Sequence, residues 1–409
     1  MSLNTALSGI NAAQSDLDVI SNNIANANTT GFKGSRAEFA DVFAVTGLNL
    51  SATAVGSGVR LAEVAQQFTQ GDIETTGNSL DMAIDGDGFF VVNTGNGLAY
   101  TRAGDFQESN DGTVQTPDGY ALQVYPPNGA GGFDTSTLSD LKLVSAQSTA
   151  SATTSAGIVD NLPASADVPA TTPFDPDDAT SYNDSNTFSV YDSQGGSHQA
   201  TVYYVKTGTN TWETHLYVDG QSADPTPAQT LTFGTNGELV TPATGKLTYQ
   251  PVDLGNGSDP LTLSLDFTNS TQFGTAYTPG TITQDGYEAG TLSSIDVDEQ
   301  GVVTASYSNG QHSQLGQLAM VNFTNPQGLA QQGSASWMAT SSSGTPIMGT
   351  AGSGQFGSVQ SGALESSNTA DTTAQLVDMI QAQQAYQANA QVLSTDNTLM
   401  SSLFNAISR

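Results

Sequence analysis

Of the 409 residues only 11% are charged, against roughly a quarter in ordinary soluble proteins, and 39 carboxylates face 8 Lys and Arg for a net charge of −31. Such a surface repels phosphate backbones, which excludes nucleic acid as a partner and disfavours anionic membrane surfaces. There is no cysteine, so disulfides, thiolate catalysis and Cys-based zinc sites are excluded, and no run of 18 apolar residues, so no membrane insertion is expected. The first residues lack a basic stretch followed by a continuous apolar one, so no cleaved secretory signal is expected.

Leu3, Ile10, Leu17 and Ile24 recur every seven residues, and Ala6, Ala13, Ile20 and Ala27 fill a second position three residues further on. This a/d stripe predicts a helix of about 35–40 Å with one narrow apolar edge. Asn28 and Gly31, which tolerate left-handed backbone, end it, and Thr29 and Thr30 weaken it. Residues 33–70 read as a transition, with Phe39, Val42 and Phe43 apolar, a small-residue stretch over 47–58, and a short strand from Arg60 to Phe68. Lys33, Arg36 and Arg60 either reach carboxylates on the same or a neighbouring subunit or lie solvated, where an ion pair contributes about 0–1 kcal/mol.

A β domain is expected over 71–145, continuing over 286–357. Leu80 to Ile84 alternates, Gly86-Asp87-Gly88 turns the chain into the buried run Phe89-Phe90-Val91-Val92, and Asn110-Asp111-Gly112 and Asp118-Gly119 signal hairpins. In the second part Val302 to Tyr307 and Leu315 to Phe323 read as strands and Trp337 as a core anchor. Between them, 146–285 forms an inserted outer β domain. It opens with a Ser/Thr/Ala/Pro-rich boundary, then alternates at Phe188 and Val190, Val202 to Val205 and Trp212 to Val218, with further strands at Leu231 and Phe233, Leu261 to Phe267 and Phe273 to Tyr277.

The C-terminus repeats the heptad device. Met379, Tyr386, Leu393, Met400 and Ile407 make one seam, and Leu376, Gln383, Ala390, Asn397 and Phe404 the other, behind a capping-box spacing of Thr372 and Gln375. Both helices carry Ala, Ser, Asn and Gln on their outer faces: residues 1–31 hold only Asp16 and Asp18 as charges, and 379–408 only Asp396. Two arrangements satisfy this pattern, an antiparallel pair within one chain and helices packed against copies in neighbouring subunits. The fold class is therefore mainly β with α-helical termini. Its domains are nested: 1–32 with 368–409 as a coiled-coil-like terminal helical domain, 33–70 with 358–367 as a connecting segment, and two β sandwich or barrel domains.

Little chemistry is visible. Asp296 to Gly301 has the start of a calcium loop, but Tyr307 stands where the bidentate Glu belongs, so a hairpin turn is expected. Asp175, Asp177 and Asp178 read as a solvated acidic loop, and His198, His215 and His312 have no metal-pair spacing. No catalytic residue, metal or cofactor is expected.

The run Leu17 to Asn26, containing Asn22, Asn23 and Asn26, followed by Thr30-Gly31-Phe32-Lys33, resembles the N-terminal signature of the bacterial flagellar rod and hook axial proteins. Gly362 to Asn368, with Leu364, Ser367 and Asn368, and Met379 to Ala390 resemble that family's C-terminal signature, and Thr101 to Phe106 fits its β unit. The inserted domain points to the longer, hook-type members. The resemblance implies a non-enzymatic subunit of a curved, flexible homopolymer that acts as a universal joint between rod and filament, with the terminal helices as inner tube and the seam residues as assembly contacts. It implies uncleaved passage through the flagellar type III export apparatus to the extracellular hook. Its partners would be the chain itself, the distal rod protein, a hook cap and hook–filament junction proteins. A rod or junction subunit is the alternative, and a secreted acidic carbohydrate-binding β protein is the reading from a different class.

Overall fold

The computed structural model describes residues 2–42, 56–143 and 148–407, and it divides into two units, 1–144 with 294–306 and 312–409, and 145–293 with 307–311. Most of the small-residue stretch at 47–58, together with Phe43, lies outside the described residues, as does the start of the boundary at 146–147.

In the first unit, helix α1 runs Ser2–Ala25 and helix α2 Thr372–Ile407. Asn23 meets Gln375 and Gly9 meets Asn389, so the two helices are antiparallel. The capping-box expectation is corrected: the carboxylate of Asp371, not Thr372, accepts the backbone N–H groups of Thr373 and Ala374 at 3.0 and 3.3 Å. α1 leads through the turn at Gly31 (φ +65°) into an antiparallel hairpin of Ser35–Asp41 and Val59–Gln66, bulged between Glu38 and Phe39. The first of these strands was not legible as one, because only one of its side chains, Ala37, is buried.

The β part of this unit is a long sheet in which Val302–Tyr307, His312–Asn322, Ala121–Tyr125, Phe89–Asn93, Leu98–Thr101 and Ser336–Met338 lie side by side. Both faces are covered, which explains the uninterrupted run at 89–92. Phe90 and Val92 enter a core with Met82, Ile84, Leu122, Leu318 and Met320, whereas Phe89 and Val91 enter another with Tyr100, Phe323 and Trp337. Trp337 is 1% exposed and packs edge-on to Phe68 and Phe89. Residues 298–301 form the expected turn after the strand Leu292–Val297, with Asp298 accepting the N–H groups of Gln300 and Val302. The chain then returns along its own beginning: Ser358–Ser361 pairs with Met82–Asp85, and Ala363–Glu365 with Ile73–Thr75.

The second unit is a sandwich. Asp184–Tyr191, Ser197–Gly208, Thr211–Val218, Gln229–Phe233 and Leu239–Thr241 form one sheet. Lys246–Thr248, Ser264–Asp266, Ser155–Ile158 and Ile282–Gln284 form the other. Trp212, Tyr204, Leu216, Leu247, Leu265 and Ile158 share its core. The expected strand from Phe273 to Tyr277 is corrected to Thr271–Phe273, because Tyr277 turns away to donate its hydroxyl to Asp160.

Asp160 is 2% exposed and accepts from Tyr204 Oη at 2.7 Å, Tyr277 Oη at 3.2 Å, Asn186 Nδ2 at 2.9 Å and the Gly280 N–H at 2.8 Å. Burial, and then the charge of Asp160, push the nearby Asp184 carboxyl up to about 6. An acid whose folded pKa lies above its unfolded value near 4 destabilises the fold as it ionises; the cost is absent below about pH 4 and complete above about pH 6. Replacing Asp184 by Asn should therefore slow amide exchange across Val202–Tyr204 in the full chain near pH 7 and change it little near pH 4. Equal protection of variant and parent at both pH values would contradict the assignment.

Candidate assembly site: the terminal helices and the lock at their base

Where α1 ends and α2 begins, three charged groups are buried together. Lys33 Nζ lies 2.6 Å from Glu365 Oε1, with both side chains 0% exposed, and Arg102 Nη1 lies 3.2 Å from Glu365 Oε2. Lys33 also donates to the Thr69 carbonyl (2.8 Å), the Gly71 N–H to Glu365 Oε1 (2.8 Å), and Arg102 Nη2 to the Gly86 carbonyl (2.6 Å). Burial draws the Lys33 pKa below the ordinary lysine value, an effect that the charge and hydrogen bond of Glu365 oppose. Two cations and one carboxylate sealed from water are tolerable because these partners meet most of their polar atoms, although Arg102 Nε is buried without a hydrogen-bond partner.

Around this ion cluster, amide side chains tie the segments together. Asn23 donates to the Ser35 carbonyl (2.8 Å) and accepts the Ser35 N–H (2.9 Å), and Thr369 Oγ1 donates to the Asn23 carbonyl (3.0 Å). Asn368 accepts the Gly34 N–H (2.7 Å) and donates to the Gln67 carbonyl (2.5 Å). Gly31 donates its N–H to the Glu365 carbonyl (2.8 Å). A Cβ there would stand 2.4 Å from the backbone nitrogen of Ala103, and the positive φ is a second reason for glycine. Phe32 and Ser367 are buried, Leu364 pairs with Glu74 and is half-buried, Asn26 donates to the carbonyl of the exposed Asn22, and Thr30 is half-buried.

Of the motif residues, Asn23, Gly31, Lys33 and Asn368 thus take part in one intramolecular lock. Sequence reasoning missed its ionic centre. Lys33 read equally well as solvated; of the other two cations named with it, Arg36 makes a surface pair with Glu38 (2.7 Å) and Arg60 is exposed. The available signal was the two-residue period at Ala363-Leu364-Glu365, which puts Glu365 on the same inward face as Ala363; both are 0% exposed.

Along the helix pair, Ala6, Ala13, Ile20 and Ala27 are buried, Ile10, Leu17 and Ile24 are half-buried, and Leu3 is 41% exposed. On α2 Ala382 is buried, and Gln375, Met379, Asn389, Ala390, Leu393 and Asp396 are half-buried. The second α2 seam named from sequence is displaced by one residue. Positions 375, 382, 389 and 396 face α1, while Leu376, Gln383, Asn397 and Phe404 face outward. The cause is close packing at small residues: a Cβ on Gly9 would sit 2.6 Å from Asn389 Oδ1. Tyr386, Met400 and Ile407 are also exposed. From Gly9 opposite Asn389, seven residues further reach Ser2 and Asp396. The end of α2, about 11 residues and roughly 16 Å, therefore outruns α1. Leu399, Met400, Leu403, Phe404 and Ile407 lie on this overhang, 53–75% exposed.

The cleft between the helix pair and the hairpin, about 480 Å³, is lined by Asp16, Asn23, Arg36, Gln375, Asp378 and Gln381 among others. Burial, then the Asp378 charge, raises the Asp16 pKa. Its lining has no histidine, lysine or serine–histidine pair for acid–base or nucleophilic work.

The site is thus an antiparallel helix pair locked to a β scaffold, with an apolar helix end left over, and it is a structural arrangement of packing faces. Four family models match the chain in order. They are the flagella basal body rod protein over 3–33, the flagellar hook protein FlgE/F/G D1 domain over 83–159, the flagellar basal body protein FlaE D2 domain over 161–287, and the flagellar basal body rod FlgEFG protein C-terminal over 360–406. The flagellar hook protein FlgE of Escherichia coli K12 is 40% identical over 422 residues, covering 99% of this chain and 100% of that protein. The FlgE of Salmonella typhimurium is 41% identical over 412 residues with the same coverage, and that of Treponema pallidum 30% identical over 468, covering 99% of each. The crystal structure of Helicobacter pylori FlgE2 shares the fold, with a TM-score of 0.51 at 16% identity over 72% of this chain and all of that one. The chain belongs to the flagellar hook protein FlgE family, structural components of the flagellar hook and basal body and not enzymes.

Proposed function

We propose that this chain polymerises through its terminal helices into the flexible tube of the hook, the joint that carries torque from rod to filament. The observation that carries this reading is the end of α2. Five large apolar side chains, 53–75% exposed, lie on a helix end with no second helix beside it among the described residues. An apolar helix end of this kind is a binding face, and heptad spacing suits it to helices of further copies. The lock at Lys33, Glu365 and Arg102 would hold the helix pair at a fixed angle to its β scaffold while subunits move against one another. The low charge of the β surfaces, rich in Ser, Thr, Asn and Gln, suits contacts that exchange as the tube rotates.

The same reading places the distal rod protein, a hook cap and junction proteins at the polymer's ends. It places the subunit outside the cell after uncleaved export through the type III apparatus, and the absence of cysteine suits passage as an unfolded chain. The nested division of the sequence into a terminal helical domain, a connecting segment and two β domains belongs to this proposal as its assembly layers.

Charge supplies the test. Subunits at −31 repel, and at about 0.15 M salt screening extends over roughly 8 Å. Sulfate also strengthens apolar burial. Light scattering should therefore show polymer forming more readily as ammonium sulfate rises. Polymer that dissolves with added sulfate would contradict the proposal.

A further inference from the structure

Within the second unit, His198 stands at the start of the strand Ser197–Gly208, on the same face as the buried Ala200, Val202 and Tyr204. Its cross-strand neighbour Val190 lies two residues before Asp192, and Asp219 follows the next strand, Thr211–Val218. The two carboxylates hold the ring from both ends. Asp219 Oδ2 lies 2.6 Å from Nδ1, and Asp192 Oδ2 lies 3.1 Å from Nε2.

A carboxylate only accepts, so both ring nitrogens donate and the ring is the imidazolium. Neither carboxyl takes the proton instead. Burial opposes ionisation of Asp192, but hydrogen bonds from His198, the Gly196 N–H, Asn256 and the Gln194 N–H hold its pKa at about 2. The hydrogen bond from His198 likewise holds Asp219 below the ordinary carboxylate value. Burial alone would lower the His198 pKa, and the hydrogen bonds and charges of Asp219 and Asp192 outweigh it, so the net shift is upward. The other carboxylates on segments packed beside this site are Asp253 and Asp259, in the loop that supplies Asn256, and Glu288, beside Gly195; none of them bonds the ring.

The two partners are held unequally. The Asp192 side chain is 1% exposed. Its Oδ1 accepts the N–H groups of Gln194 and Gly196, both at 2.8 Å, and its Oδ2 accepts the Asn256 amide at 2.6 Å. The Asp219 side chain is 44% exposed and, besides the ring, accepts the Gln199 N–H at 2.9 Å. Asp219 and Gly220 form a two-residue turn, with φ of +48° and +79°, that joins Val218 to Gln221. This left-handed backbone is uncommon outside glycine, and the two side-chain bonds of Asp219 help to hold it. Taking one proton from the ring leaves a bare nitrogen facing a carboxylate. Asp192 cannot retreat without stripping three donors, whereas Asp219 has water beside it.

We propose that His198 is a proton-operated clamp: as the imidazolium it ties the Asp219-Gly220 turn to the Asp192 turn, and on deprotonation it keeps Asp192 and releases Asp219 to solvent. A histidine whose folded pKa is raised contributes its full stabilisation below about pH 6.5, and loses it as pH rises through the folded value. The clamp belongs to the single chain and does not rest on the assembly reading above.

Nitrogen-15 NMR of the full-length monomer, labelled at its three histidines, tests this, with His198→Gln assigning the resonance. His198 should titrate above the ordinary histidine value, with both nitrogens protonated near pH 6 and the proton on Nε2 alone near pH 9. Asp219→Asn should move the titration back toward the ordinary value. Over the same range the exchange protection of the Gln199 N–H should fall about tenfold for each pKa unit of elevation, while that of Gln194 and Gly196 holds. A parent ring that titrates at or below the ordinary value, a neutral ring protonated on Nδ1, or unchanged protection at Gln199 would overturn the proposal.

Discussion

Replacing Glu365 by Ala is expected to be the most damaging single substitution in the first unit. It leaves the Lys33 ammonium and the Arg102 guanidinium facing each other in a site from which water is excluded. Breaking a buried pair from one side costs about 3–5 kcal/mol, because the charge left behind stays buried. It also strips the Gly71 N–H of its acceptor. Lys33→Met should cost less, since Arg102 and Gly71 still satisfy the carboxylate. Trp212 lies in the second unit and Trp337 in the first, so in a Trp212→Phe background the fluorescence of Trp337 follows the first unit alone. The urea midpoint should fall in the order parent, Lys33→Met, Glu365→Ala. Equal midpoints for the two variants would mean that the carboxylate is not the centre of the lock.

The second large effect concerns assembly and spares the fold. Leu403 and Phe404 are 57% and 68% exposed on the α2 overhang. Substituting both by Asp removes little intramolecular burial, so the stability of the monomer in urea should change by no more than about 0.5 kcal/mol per site. In a polymer, the same change would bury unpaired carboxylates between apolar helices, which is costly. Sedimentation should therefore find the double variant monomeric in sulfate that polymerises the parent chain. Polymer at the parent's level would remove the overhang from the interface.

The contrast between these two predictions shows what could be read from the sequence. Heptad spacing located both helices, because a 3.5-residue apolar period has few other meanings. It did not choose which seam faces inward. That choice depended on how closely the Asn389 side chain packs onto Gly9, a tertiary property with no periodic signature. The run Phe89 to Val92 was legible as a buried strand, since only a sheet covered on both sides accepts four apolar residues in succession.

The lock was half legible. Asn23, Gly31, Lys33 and Asn368 stood out as motif residues, but Lys33 also fitted a solvated surface. Its carboxylate partner lies 332 residues away and Arg102 lies 69 residues away, distances over which local pattern carries no information. The acidic loop at Asp175 to Asp178 read as solvated. Its neighbour Phe174 instead caps a histidine brought into place by a sheet whose strand order the sequence did not reveal.

Electron microscopy in high sulfate, on the full chain beside a variant lacking residues 1–32 and 370–409, bears most directly on whether the terminal helices build the polymer. Tubes from the full chain and only dispersed particles from the shortened one are expected. Tubes of equal number and diameter from both would show that the β units alone assemble, and would contradict the role assigned here to α1 and α2.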